Sequence, residues 1–176
     1  MIPSIQISNG SYFNFELLNE NIFGIEDIAH ALSQICRFTG HTREFYSVAQ
    51  HSVLVSKIVP EKYQLVGLLH DAAEAFLGDV SAPLKTLLPD YREVERRVES
   101  AVLWQYGIMQ IPECVKKADL TLLLTEQRDL MPRTELKWDG HGTTQLLEEK
   151  IVPLPPEEAR RLFLRRFYHL ADGDPE

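Results

Sequence analysis

Four side chains in one short stretch are of the types that acid, base or metal chemistry needs. Residues 68–79 read LLHDAAEAFLGD and carry His70, Asp71, Glu74 and Asp79. Leu65, Val66, Leu68, Leu69, Ala72, Ala73 and Phe76 recur at helical spacing, which predicts a largely buried helix. A charged Asp inside such a helix is costly unless something pairs with it. Glu74 follows His70 by four positions and Asp71 by three, so it points to the same side of the helix. An imidazole and a carboxylate, with a second carboxylate one turn on, make the core of a metal site with a general acid or base beside it.

Two ligands do not complete such a site, so the other donors must come from other helices. His51 lies in SVAQHSVLVSKIV and Asp119 in VKKADLTLLLTEQ, each a polar residue embedded in an apolar helical pattern. With His70 and Asp71 they supply two nitrogen and two carboxylate donors. Such a set suits a transition metal of middling hardness (Mn, Fe, Co or Zn), with open positions for water and a phosphate oxygen. Taken singly, each of the four is more often a buried polar residue hydrogen-bonded to its neighbours.

The ordered set is more specific than any one residue. The order H…HD…D, with HDxxE and a following GD-x-x-x-P-x-K, resembles the HD-domain phosphohydrolases, and among them the small bacterial and phage deoxynucleotidases. The resemblance covers roughly residues 25–129. It implies an all-α fold, a compact HD-domain helical bundle, with His51, His70, Asp71 and Asp119 holding one metal per subunit. It also implies a catalytic role for Glu74. On the residues alone, Glu74 serves equally as the partner that fixes a ligand histidine's tautomer. Asp79 either caps the short helix that follows or, as the matching family segment implies, meets the substrate and assists Glu74. Arg37-Phe38 matches an Arg-Trp pair that contacts the nucleotide phosphate in related enzymes. The match departs from the pattern in two ways. The aromatic is Phe, and the pair lies 14 residues before His51, one fewer than expected. Arg37 suits the role because a guanidinium grips phosphate oxygens bidentately. Phe38, His41, Arg43 and Lys85 complete the candidate substrate-binding set. The alternative for Lys85, as for Lys116 and Lys117, is an ordinary surface charge.

The activity that the resemblance implies is hydrolysis of the 5′ phosphate ester of 2′-deoxynucleoside monophosphates, giving deoxynucleoside and phosphate. Related phage enzymes instead take a deoxynucleoside triphosphate such as dATP and release triphosphate, which stands as the alternative. A non-catalytic metal- and nucleotide-binding sensor is a reading of another class. A cyclic-nucleotide phosphodiesterase would need further histidines for a second metal, and no clear pair is visible. Related proteins form dimers or larger rings, so a homo-oligomer is expected.

Composition bounds these readings. A chain of 176 residues is one domain by length, with room for a sizeable core. Hydrophobic residues make up 44% and charged residues 25%, a globular balance. The net charge of −8 argues against nucleic acid as a partner and leaves small anions open, because a metal and a few local cations can invert the field in one pocket. Two cysteines, Cys36 and Cys114, suggest no disulfide framework and fit a reducing cytoplasm; the resemblance implies that of a bacterium or a phage-infected host. No signal peptide is visible and no apolar run approaches membrane-spanning length.

Several elements must position the site. Residues 1–20 hold a β-hairpin around Asn9-Gly10, a pair that favours a tight primed turn. Residues 25–130 form the metal-binding helical core, with helices over 25–36, from Ser47, over 61–76, over 84–88, from Asp90 to Gly107 and from Pro112 to Leu130. Ser47 and Gln50 match a capping box just before His51. Residues 133–153 read as a long loop that could approach the site, and residues 155–170 as a last amphipathic helix. His30, His141 and His169 fall outside the ligand set.

Overall fold

The computed structural model describes residues 2–136 and 138–172, which are mostly helical with one small antiparallel hairpin. Strands β1 (Ser4–Gln6) and β2 (Tyr12–Asn14) pair in the register Ser4↔Asn14, Ile5↔Phe13, Gln6↔Tyr12. The connection differs from a two-residue primed turn. Ile7 N–H donates to Ser11 O and Gly10 N–H to Ile7 O, leaving three residues in the loop, with Gly10 in the left-handed region at φ 89°. The extra residue frees Ser8 and Asn9 to reach Asp27 in α1 (Ile25–Gln34). Ser8 Oγ and Asn9 Nδ2 both donate to its carboxylate, which also accepts the Gly24 N–H at the helix start. A carboxylate in a first helical turn is favourably placed against the helix dipole. Phe13, the inward residue of β2, stacks on Phe76 with ring centroids 4.0 Å apart, so the hairpin is built into the core.

The centre of the bundle is α2 (Val48–Ile58), which packs against α1 and against three later helices. These are α3 (Gln64–Leu69), α7 (Glu113–Leu130) and α8 (Pro156–Asp172). A helix covered on all sides must satisfy its polar residues internally. Ser47 caps it by accepting the Gln50 N–H, as the sequence predicts. The expected reciprocal bond from Gln50 does not form, because its side chain ties down the approach to α8, donating to Val152 O and accepting from Leu154 N. Ser56 meets Arg166 of α8.

The single helix expected over residues 61–76 is broken into three. A 3₁₀ turn over Glu61–Tyr63 leads into α3, and a tight turn over residues 70–73 separates α3 from α4 (Glu74–Leu77). In that turn Ala72 N–H reaches Leu69 O and Glu74 N–H reaches Asp71 O, each three residues back. Such tightening eclipses side chains at i and i+3, which sets Glu74 over Asp71. Gly78, at φ 79°, ends α4. Then come α5 (Ala82–Lys85) and α6 (Pro89–Trp104), the latter burying only Val98, Val102 and Leu103. One apolar cluster gathers Phe13, Ile28, Leu32, Leu68, Phe76 and Phe163, and a second gathers Tyr46, Val55, Val115 and Leu122. No helix among the described residues is long and apolar enough to cross a membrane.

Candidate metal centre

Three elements bring the predicted donors together. Gly67 allows the approach of α3 to α2: a Cβ there would lie 3.0 Å from Val59 Cγ2 and 3.2 Å from Ser56 Cα. One turn on, His70 leaves α3 facing His51 of α2, with ring centroids 5.3 Å apart. Asp119 comes across from α7. The ligating atoms of His51, His70 and Asp119 all lie within 4.8 Å of one another. Asp71 sits beside this trio, with Oδ2 3.2 Å from His70 Nε2 and 3.6 Å from His51 Nε2.

The fit to a metal follows from how the rings are held. His70 Nδ1 donates to Gly67 O at 2.9 Å, and His51 Nδ1 donates to Glu126 Oε1 at 2.6 Å. Each bond uses the outer nitrogen and leaves Nε2 facing the other donors, the usual arrangement of ligand imidazoles. Asp119 Oδ1 lies 3.1 Å from His51 Nε2. Yet both Nε2 atoms are buried without an aligned hydrogen-bond partner among the described residues. Two orphaned imidazole nitrogens with two carboxylates at hand are what an intermediate or hard-soft borderline divalent cation takes.

The electrostatics agree with the geometry. Burial and Arg37 push the His51 pKa down, but the Glu126 and Asp119 carboxylates outweigh them and raise it to about 9. Against the opposing effect of burial, Asp71 also raises His70. Burial likewise opposes ionisation of Asp71, but His70, His51 and Arg37 hold its carboxyl well below the usual range. Asp119 is lowered too, its burial outweighed by His51 and His70. Glu74 goes the other way: burial first, then the Asp71 and Asp79 charges, push its carboxyl well up. Its Oε2 is buried and has no hydrogen-bond partner among the described residues. Burial also raises Asp79, with Arg37 opposing and Asp71 adding to the rise. Asp71 and Glu74 are thus neighbouring carboxyls pushed in opposite directions, the first favouring its ionised form and the second holding a proton more tightly.

The candidate substrate residues are placed unevenly. Backbone bonds from Arg37 N–H to Tyr46 O and from Val48 N–H to Ile35 O close the loop before α2 and bury Arg37. Its Nε and Nη2 engage Glu126 Oε2 at 3.1 Å, and its Nη1 lies 3.7 Å from Asp71 Oδ2. Phe38 and Thr39 take φ of 54° and 55°, a left-handed pair that is strained for side-chain-bearing residues. Phe38 lies against the Arg37 guanidinium at 5.3 Å and against Trp138 at 5.6 Å. Trp138 belongs to the long loop, which runs along α7: His141 Nε2 donates to Gln127 Oε1, and Arg128 donates to Leu147 O and Glu149 O. His41 is exposed. Arg43 is exposed as well, and its guanidinium donates to Asp129 O at the end of α7. Lys85 pairs with Glu95 of α6 rather than standing open. Lys116 and Lys117 are exposed.

Glu126 is the participant that sequence reading missed. It is fully buried and accepts from His51 Nδ1, from Tyr46 Oη at 2.8 Å and from Arg37. A signal was present: Glu126 lies two helical turns after Asp119, on the same face of an otherwise apolar run.

No family model matches the chain. It is 41% identical over 174 residues to "Uncharacterized protein YfdR" of Escherichia coli (strain K12), covering 96% of each. It is 33% identical over 165 residues to "Uncharacterized protein RCAP_rcc00048" of Rhodobacter capsulatus, covering 83% of this chain and 84% of the relative. Identity of this extent along nearly the whole of both chains means that the protein belongs to the family of YfdR.

Proposed function

We propose that the protein is a metal-dependent phosphohydrolase of 2′-deoxynucleotides, acting on the 5′ phosphate ester of deoxynucleoside monophosphates. The observation that carries this reading is the pair of buried, unpartnered Nε2 atoms of His51 and His70 facing Asp119 and Asp71. The resemblance of H…HD…D and HDxxE to the HD-domain phosphohydrolases supports the substrate class. His51, His70, Asp71 and Asp119 would hold the cation, which supplies Lewis acidity and lowers the pKa of water when bound. Arg37 directs Nη1 towards the same place and neutralises charge on the phosphoryl oxygens. Glu74, buried beside Asp71 and raised in pKa, takes the proton of the attacking water and returns it to the departing 5′ oxygen. Water oxygen bonds to phosphorus, the P–O5′ bond breaks, and the deoxynucleoside leaves as the alcohol. Asp79, next in line, keeps Glu74 protonatable by its own charge.

The monophosphate is favoured over the triphosphate because, among the described residues, Lys85 is paired with Glu95 and Lys116 and Lys117 are exposed, while Arg37 is the candidate cation with an atom 3.7 Å from a donor carboxylate. Chromatographic product analysis tests both, using Co, Mn and Zn with each dNMP, each dNTP and ribonucleotide controls. Deoxynucleoside plus phosphate is expected. Deoxynucleoside plus intact triphosphate would move the reading to the triphosphohydrolase. No turnover with any of the metals would sink both and favour the sensor. Glu74→Gln should cut turnover by roughly 10²–10⁴-fold while leaving Co²⁺ affinity unchanged, which the sensor reading does not predict.

A further inference from the structure

We propose that Glu126 is a positioning residue that aims His51 and Arg37 at one spot, so that the cation-holding and anion-holding halves of the site share one buried carboxylate. This rests on the metal-centre reading above.

The argument starts from cost. Glu126 is 0% exposed, and a carboxylate with no access to water is expensive unless its oxygens are filled. Here they are filled by three different residues. Oε1 accepts from His51 Nδ1 at 2.6 Å and from Tyr46 Oη at 2.8 Å, while Oε2 accepts from Arg37 Nε at 3.1 Å and is in ion-pair contact with Nη2 at 3.1 Å. Stability alone does not call for this arrangement, since a buried ionic set replaced as a whole by apolar residues of similar volume is often matched or bettered in stability. What the carboxylate does achieve is directional. By holding His51 at Nδ1 it turns Nε2 towards Asp119 and His70. By holding Arg37 at Nε and Nη2 it leaves Nη1 to approach Asp71. Both consequences point into the same volume, from a single residue on α7 two turns from Asp119. A glutamine could not replace it, because one carboxamide oxygen cannot accept from both the His51 and the Arg37 side while its amino group faces donors on either.

Two binding measurements test the role. Co²⁺ is titrated into the metal-free protein, and inorganic phosphate is titrated into protein saturated with Co²⁺, for wild type, Glu126→Gln, Arg37→Gln and Tyr46→Phe. Glu126→Gln is expected to lose about 10–100-fold in Co²⁺ affinity, the usual cost of removing a ligand's outer partner, and to weaken phosphate binding as well. Arg37→Gln should weaken phosphate binding and leave Co²⁺ affinity within a few-fold. A folded Glu126→Gln protein that changes only one of the two affinities, or neither, overturns the proposal. If Glu126→Gln does not fold by circular dichroism, Tyr46→Phe decides: it removes one bond to Oε1 and no charge. A several-fold fall in Co²⁺ affinity is then expected, and unchanged affinity overturns the proposal. Wild type that binds Co²⁺ but turns over no nucleotide sinks the hydrolase reading and leaves this one intact. Wild type that binds none of Co²⁺, Mn²⁺ or Zn²⁺ overturns it.

Discussion

Metal binding should expel a proton from His51, and the size of the effect follows from the structure. In the metal-free protein Glu126 and Asp119 raise the His51 pKa to about 9, against burial and Arg37. At pH 7 the ring therefore carries protons on both nitrogens. The Nδ1 proton stays on the bond to Glu126, and the Nε2 proton must leave when a cation takes that nitrogen. Each pH unit below the folded pKa then costs about tenfold in affinity, or about 1.4 kcal/mol. His70 is raised too, so the slope steepens towards lower pH. An ordinary imidazole would have finished titrating by about pH 7.5. The assay is Co²⁺ titration followed by visible absorption, against a chelator of known pH behaviour, with proton release read in weak buffer. Affinity should rise about tenfold from pH 7 to 8 and flatten near 9, with about one proton released. A dissociation constant constant within about twofold from pH 7 to 8.5 would refute the reasoning, since His51 would then already be neutral. The same shift affects stability. The folded pKa is raised above the unfolded one, so this stabilisation of the metal-free protein is fully present below about pH 6.5 and lost as pH rises through about 9.

Other perturbations probe the frame around the site. Gly67→Ala puts a Cβ 3.0 Å from Val59 Cγ2 and 3.2 Å from Ser56 Cα. Overpacking of about 1–3 kcal/mol against a helix-propensity gain of about 1 kcal/mol leaves a net loss of about 1 kcal/mol in urea denaturation. Unchanged or increased stability would show that the α2–α3 contact gives way. Asp27→Ala removes the acceptor for Ser8, Asn9 and the Gly24 N–H and should cost about 2 kcal/mol. The Asp27 pKa is lowered because those bonds outweigh burial, so its contribution is present above about pH 4 and fades as pH falls through the folded value. An Asp27→Ala protein as stable as wild type at pH 7 contradicts the clamp. Thr39→Gly relieves a left-handed φ of 55° at an exposed position and should stabilise by up to about 1 kcal/mol. A loss would show that the Thr39 side chain contributes more than its strain costs.

Much of the scaffold was readable along the chain, because local signals mark element ends. Ser47 caps α2, Pro112 precedes α7 and α8 starts at Pro156, each at or within a residue of where the sequence places it. The misreadings came where distant groups competed with local ones. Gln50 looked like half of a capping box, but backbone groups of residues 152 and 154 claim its side chain. The stretch through His70 and Asp71 looked like one helix, since apolar periodicity does not distinguish a continuous α-helix from one tightened over a turn.

Periodicity and the polar exceptions to it are local properties, and they were enough to mark which residue types were available for chemistry and which segments carry them. His51, His70, Asp71, Glu74 and Asp119 stand out for that reason. How those segments meet was set by packing between distant parts of the chain. It set α3 close against α2 at Gly67, used Arg43 and Lys85 in contacts with Asp129 and Glu95, and brought Trp138 onto Phe38. It also gave Glu126 its partners, 75 residues from His51 and 89 from Arg37. A buried charge is a cost until packing shows what pays for it, and no local pattern names donors that far away along the chain.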